Sequence, residues 1–106
     1  MDFQDVVTKF KARVNAALAE KLVAVYWFGS TARNNASNES DIDILIETTS
    51  TLTRSERDQV TDIVIDLCAE TNTVLDIHYY TAHELNTAPF SYSPFIDTVK
   101  REAIKV

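Results

Sequence analysis

Apolar residues recur along this chain with two different periods, and the changes between them predict its helices and strands. A spacing of three or four residues, typical of a helix with one buried face, runs through the first eighteen residues, where Asp2 is suited to cap the helix. The same spacing follows a capping box at residues 53–56 and continues to about residue 71. Ser93 followed by Pro94 predicts the start of a last helix.

Three shorter segments have the composition of strands. Residues 22–28 are continuously apolar and end at Gly29, the only glycine in the chain, which favours a buried strand followed by a tight turn. In residues 41–47 and 73–80, alternate positions differ in character: one set is apolar or aromatic, and the other contains the acidic residues. This period of two is typical of strands whose two faces have different surroundings. The pattern therefore predicts an α/β (α+β) fold, with a small mixed sheet of three to four strands and helices packed on it.

The composition limits the class of protein. The 106 residues are expected to form a single domain, since 45% of them are hydrophobic, which is ordinary for a globular protein with a core. A net charge of −6 and the lack of any basic run argue against sustained binding to long nucleic acid. The lone Cys68 excludes an internal disulfide and a cysteine-based zinc site. No segment reads as a membrane span or a signal peptide, so the expected location is cytoplasmic and no membrane partner is expected.

Three aspartates stand where a carboxylate is costly. Asp41 and Asp43 point to one face of their strand, and Asp76 interrupts the apolar segment 74–77. A carboxylate on a buried strand is unfavourable unless it is paired or bound to metal. If the three converge, they repel one another, and a divalent cation removes that cost. All-oxygen ligation suits Mg²⁺ or Mn²⁺, usually together with the phosphates of a substrate.

A phosphate-binding turn is predicted beside these acids. Ser30, eleven positions before Asp41, is expected to cap a brief helix that runs to about residue 35, followed by a polar surface loop at residues 34–40. The start of a helix offers free N–H groups and a favourable dipole to phosphate, and the Ser30 hydroxyl adds a donor. Two ions would then align an acceptor hydroxyl with the α-phosphorus of a nucleoside triphosphate, with Asp76 as acceptor-side ligand and base.

These motifs together resemble a known family. The run Gly29-Ser30-Thr-Ala-Arg33, then Asp41-Ile-Asp43, then a strand aspartate at Asp76, is similar to the minimal nucleotidyltransferase (MNT) domains of the DNA polymerase β-like superfamily, over nearly the whole chain. The resemblance implies an enzyme that transfers AMP from ATP with two Mg²⁺ ions, or Mn²⁺ in their place. It assigns catalysis and metal binding to Asp41, Asp43 and Asp76, and nucleotide binding to Gly29, Ser30 and Arg33.

The resemblance also implies a partner. Proteins of this kind are often the antitoxin of a HEPN-type RNase toxin, which they silence by transferring AMP onto it, so the expected acceptor is a hydroxyl of such a toxin. Two departures from the family are Asn34 and Ala103, at positions where glycine is common. Larger relatives carry a further helical domain that grips the acceptor, and a partner or second subunit is expected to replace it here.

Several alternatives stay open at this stage. A non-catalytic antitoxin that masks its partner, or an enzyme acting on a small-molecule hydroxyl, would carry the same motifs. Arg33 is equally suited to bind nucleotide or to pair with Glu39 or Asp41. His78 and His83 are interpreted as structural residues, because neither has a partner at metal-ligand spacing in the sequence.

Overall fold

The structure is a computed structural model that describes residues 2–33 and 41–106. The helices are α1 (Phe3–Leu18), α2 (Gly29–Ala32), α3 (Arg54–Thr71), α4 (Ala82–Asn86) and α5 (Pro94–Glu102). The strands are β1 (Leu22–Phe28), β2 (Ile42–Thr48), β3 (Leu75–Thr81) and β4 (Ile104–Lys105), and single 3₁₀ turns occupy Ala19–Lys21 and Phe90–Tyr92. The loop predicted at residues 34–40 lies outside the described residues.

The strands form one mixed sheet in the order β3-β2-β1-β4. Strand β2 runs antiparallel to β1 and parallel to β3, while β4 runs antiparallel to β1. This arrangement confirms the predicted α+β fold with a small mixed sheet. The fourth strand has no separate signal in the sequence, because its two residues are too few to show a period. Ala103 follows α5 and leads directly into β4.

One face of the sheet is covered by α1 and α3. The buried side chains of this layer come from both helices and from alternate positions of β2: Val6, Val7, Phe10, Val14, Leu18, Ile42, Ile44, Ile46, Val60 and Leu67. Each of the two helices presents a stripe at helical spacing, as the sequence predicts. Burial of this continuous apolar surface is the main source of stability in the fold.

The opposite face is covered by α4 and α5. Leu45 of β2 is fully buried there against Phe28 of β1, Leu85 of α4 and Ile96 of α5. Strand β2 is therefore buried on both faces over its centre, although it does not lie between two parallel neighbours. Polar side chains on the α4–α5 face of β2 fall on either side of Leu45, with Asp43 before it and Glu47 after it.

The longer helices begin where the sequence places capping residues. The Asp2 carboxylate accepts from the backbone N–H of Asp5 at 2.9 Å, and the Thr53–Glu56 capping box is complete. The Ser93 hydroxyl accepts from the N–H of Ile96 at 3.1 Å. Within residues 2–33 and 41–106, no helix combines the length and the apolarity that crossing a bilayer requires.

Candidate active site at the Gly29 end of the sheet

Gly29 joins β1 to α2 in a conformation that requires glycine. Its φ is +82°, a left-handed value that side chains rarely adopt. A Cβ at this position would also collide with Oδ2 of Asp43 and would lie 3.1 Å from Asp43 Cγ. The turn and the carboxylate are thus packed directly together, because Phe28 and Asp43 are opposite each other in the β1–β2 register. The glycine motif and the aspartate motif form one structural unit.

Ser30 lies two positions further into α2 than the sequence predicts, since it is the second helical residue and not the N-cap. The helix begins at Gly29, and its N-cap is Phe28, whose side chain makes no capping bond. The prediction that Ser30 caps this helix is therefore wrong, because the positive φ of Gly29 lets the chain turn immediately after the strand. The turn is held from the other side by Trp27, whose indole Nε1 donates to Oγ1 of the buried Thr31 at 2.8 Å.

Asp43 and Asp76 face each other across neighbouring strands. They are directly paired in the parallel β2–β3 register, so their side chains project from the same face of the sheet. The predicted direction of Asp76 is confirmed by this register, since Leu75 and Ile77 point to the α1–α3 layer instead. The Asp76 side chain is 56% exposed, and Asp43 is partly buried. The pair lies where β1 ends and where β2 and β3 begin.

The electrostatics of the pair are unfavourable without a counter-charge. Burial raises the pKa of Asp43 above the ordinary 3.8, and the negative charges of Asp76 and Asp41 raise it further. His78 and Arg33 act in the opposite direction on the pKa of Asp43. The net result is a raised pKa, so the surroundings oppose the negative charge on this carboxylate.

Asp41 stands just outside this pair. It is exposed and precedes the first residue of β2. Its charge affects the pKa of Asp43, which places it in the electrostatic neighbourhood of the site. In the described part of the chain, the side chains whose potential metal ligands lie within 4.8 Å of one another are Asp43, Asp76 and His78, a group that does not include Asp41.

Arg33 follows the last residue of α2 and reaches towards α5. Its Nη1 lies 3.2 Å from Oε2 of Glu102, and both side chains are largely exposed. Pairing with Asp41, one of the alternatives left open by the sequence, is not what the described residues show, because Glu102 at the end of α5 is the partner of Arg33. Glu39 lies outside the described residues. The Arg33 charge still lowers the pKa of Asp43, so the guanidinium faces the same end of the sheet.

His78 is the site residue that sequence interpretation missed. Its Nε2 lies 3.4 Å from Oδ2 of Asp76, and it belongs to the three-residue group described above. The available signal was its position two residues after Asp76 on a strand, which puts both side chains on one face. His83, by contrast, is exposed on α4 and is not in this group.

The donors present fit a divalent cation. The carboxylates of Asp43 and Asp76, with the imidazole of His78 beside them, have potential ligand atoms within 4.8 Å of one another. Carboxylate oxygens suit Mg²⁺ and Mn²⁺. Burial and the neighbouring acidic charges raise the pKa of Asp43, and a bound cation would favour the charged form of this carboxylate. A glycine turn packed against two carboxylates is compatible with the class of enzymes that carry out metal-assisted displacement at phosphorus.

The family comparison agrees with that class. The chain belongs to the nucleotidyltransferase domain family, which it matches over residues 7–106. The resemblance stated from the motifs is thereby confirmed, and the protein is a nucleotidyltransferase. The matched range contains Gly29, Asp41, Asp43 and Asp76.

Individual relatives carry the comparison further. A Methanocaldococcus jannaschii protein provisionally named a protein adenylyltransferase is 26% identical over 111 residues, which cover both chains completely. A solved structure with the provisional description of a minimal nucleotidyltransferase is 25% identical, with a TM-score of 0.65 over 100% of this chain and 97% of that one.

A chain in the complex of a tri-AMPylated Shewanella oneidensis HEPN toxin with its MNT antitoxin is 19% identical. It has a TM-score of 0.59 over 96% of this chain and 69% of that one. At this identity the likeness shows the fold alone. The fold is that of the minimal nucleotidyltransferases.

Proposed function

We propose that this protein transfers AMP from ATP to a hydroxyl group on a partner protein, in a reaction that depends on divalent metal. The observation that carries the proposal is the in-register pair of Asp43 and Asp76 packed against the Gly29 turn. It brings two candidate metal ligands and a candidate phosphate-binding turn to one point of the fold. The name of the M. jannaschii relative supports protein as the acceptor.

The aspartates would divide the work between metal binding and proton transfer. Asp43 and Asp76 would hold Mg²⁺ or Mn²⁺, with Asp41 completing the set from the exposed position before β2. Two bound ions would neutralise the carboxylates and stabilise the negative charge on the α-phosphate and on the leaving pyrophosphate. Asp76 is the more exposed of the central pair and is the candidate to accept the proton of the incoming hydroxyl.

The proposed reaction is a single displacement at phosphorus. The hydroxyl oxygen of the acceptor forms a bond to the α-phosphorus, the bond from that phosphorus to the bridging oxygen breaks, and pyrophosphate leaves. The hydroxyl proton passes to the Asp76 carboxylate. The product is an AMP ester of the acceptor, with no change in oxidation state.

The glycine turn and Arg33 would bind the triphosphate. Glycine at position 29 lets the backbone of the turn pack directly against the Asp43 carboxylate, which would put a phosphate bound at the turn close to metal held by Asp43. Ser30 follows in the first turn of α2, where its hydroxyl is a donor for a phosphate oxygen. Arg33 would exchange its exposed pairing with Glu102 for the phosphates, at little cost, since exposed ion pairs contribute about 0–1 kcal/mol.

The proposed acceptor is a HEPN-type toxin, with this protein as its antitoxin. The support is the shared fold with the antitoxin of the S. oneidensis complex, whose toxin is AMPylated.

The experiment is a transfer assay with matched variants. The protein is incubated with α-labelled ATP, Mg²⁺ and a HEPN protein encoded beside it, and label on that protein is measured. We expect transfer by the wild type and none by Asp43→Asn, while Asp62→Asn, an identical change on the exposed surface of α3, keeps full activity. Toxin neutralisation without label, unaffected by Asp43→Asn, would instead show a masking antitoxin.

A further inference from the structure

His78 is held rigidly beside the metal-binding pair. Its ring packs against two phenylalanines, with centroid distances of 5.7 Å to Phe28 and 5.0 Å to Phe95. Phe28 and Phe95 also contact each other, edge to face, at 5.5 Å. The imidazole therefore has little freedom to rotate, and its side chain is only 33% exposed.

Asp76, in contrast, has little packing of its own. It lies on β3, an edge strand of the sheet, and its side chain is 56% exposed. An exposed aspartate has several side-chain rotamers of similar energy. Repulsion from Asp43 favours those that turn the Asp76 carboxylate away from the site. Something must oppose this tendency if the pair is to be ready for metal.

The contact with His78 supplies that opposition. Nε2 of His78 lies 3.4 Å from Oδ2 of Asp76, on the side where the ring is fixed by Phe28 and Phe95. A phenylalanine would fill the same aromatic space, so packing alone does not account for an imidazole here. What the imidazole adds is a ring nitrogen, Nε2, that lies 3.4 Å from a carboxylate oxygen of Asp76.

We propose that His78 is a positioning residue that holds the Asp76 carboxylate towards Asp43, so that the pair is preorganised for a divalent ion. This inference deepens the proposed function and rests on it for the role of the ion. Carboxylates that bind metal are commonly oriented by such secondary contacts, and loss of one typically lowers metal affinity about 10–100-fold.

The test separates the donor from the ring. His78→Phe keeps the aromatic packing and removes the donor, while His78→Gln keeps an N–H donor and removes the ring. His83→Gln is the matched control on α4. Mn²⁺ affinity is measured by electron paramagnetic resonance without nucleotide or acceptor, and thermal unfolding shows that each variant is folded.

We expect His78→Phe to weaken Mn²⁺ binding about 10–100-fold and His78→Gln and His83→Gln to stay within about threefold of the wild type. Unchanged affinity in His78→Phe, or equal loss in the Phe and Gln variants, overturns the proposal. Hyperfine coupling from a directly bound nitrogen that disappears in His78→Phe also overturns it, since His78 would then be a ligand.

The same variants distinguish this inference from the proposed function. If the wild type labels its partner and His78→Phe labels it equally well with unchanged Mn²⁺ affinity, the positioning role fails and the transferase activity stands. A different result would be that no partner is labelled, while Mn²⁺ affinity falls in His78→Phe and is kept in His78→Gln. The positioning role would then stand, and the proposed acceptor would be wrong.

Discussion

Asp43 and Glu47 lie four residues apart on the same face of β2, and their carboxylates have opposite surroundings. Asp43 faces a second carboxylate, Asp76, at the open end of the sheet. Glu47 is only 8% exposed, and its Oε1 accepts a hydrogen bond from the phenol of Tyr26 at 3.2 Å. Burial and the neighbouring Glu47 charge raise the pKa of Tyr26, which keeps this donor protonated. One acid faces another acid and the other faces a neutral donor.

The difference shows which property distinguishes a candidate functional carboxylate from a structural one. Burial alone does not mark one, since Glu47 is the more buried of the two and is satisfied within the fold. Asp43 is left beside like charge and against a glycine that no other residue can replace without a collision. An arrangement that costs stability and is not relieved by the protein itself points to a ligand that relieves it.

The contrast between Asp43 and Glu47 is tested most strongly by neutralising each carboxylate in turn. Asp43→Asn should lower the rate of AMP transfer about a thousandfold or more, because metal supplies several kcal/mol of transition-state stabilisation and each ~1.4 kcal/mol is tenfold. Glu47→Gln should leave the rate within about threefold, since its amide can still accept from Tyr26. Single-turnover labelling measures both. Equal losses would show that the two acids do not differ in role.

The contact between Gly29 and Asp43 is tested next. Gly29→Ala should destabilise the fold by about 2–3 kcal/mol in urea unfolding, through the positive φ and the collision with Asp43. In an Asp43→Ala background the same change should cost about 1 kcal/mol less, because most of the collision is gone. An identical cost in both backgrounds would mean that the backbone alone requires glycine.

The next prediction concerns the hydrogen bond from Tyr26 to Glu47, and the quantity tested is the stability of the protein. Tyr26→Phe should destabilise the protein by about 1–2 kcal/mol, because the Glu47 carboxylate stays buried without its phenol. Tyr92→Phe is the same change at a residue that is 84% exposed, and it should leave the stability almost unchanged. Transfer activity should be unchanged in both. Similar stabilities for the two variants would show that the Tyr26–Glu47 contact is not structural.

The smallest effect concerns the stability of the metal-free protein. Because the pKa of Asp43 is raised in the fold, its ionised form costs stability at neutral pH, and the cost is removed as pH falls through that pKa. Asp43→Asn should therefore be more stable than the wild type at pH 7 by roughly 0.5 kcal/mol, a gain that disappears at low pH. Chemical unfolding in a chelator measures it, with Asp62→Asn as the control. A variant less stable than the wild type at pH 7 would contradict the repulsion.

Elements with a clear period or cap were predictable, and those set by distant contacts were not. The bounds of β1 and the capping box of α3 follow from local sequence and agree with the fold. The strand β4 depends on pairing with β1, which two residues cannot signal. The start of α2 depends on the φ of Gly29, a choice between backbone conformations that the adjacent Ser30 does not reveal.

The candidate site shows the same division. The directions of Asp43 and Asp76 follow from strand alternation, whereas their direct pairing depends on the parallel register of β2 with β3. The contact of Arg33 with Glu102 joins residues far apart in sequence, and no local pattern indicates it. His78 was within reach, because strand geometry alone puts it on the face of Asp76.

Crystals grown with Mn²⁺ and a non-hydrolysable ATP analogue give the most direct test, through the anomalous scattering of manganese. The account predicts a manganese peak between the carboxylates of Asp43 and Asp76, with the triphosphate against the Gly29–Ser30 turn. Nucleotide bound elsewhere, with no manganese between these two carboxylates, would contradict it.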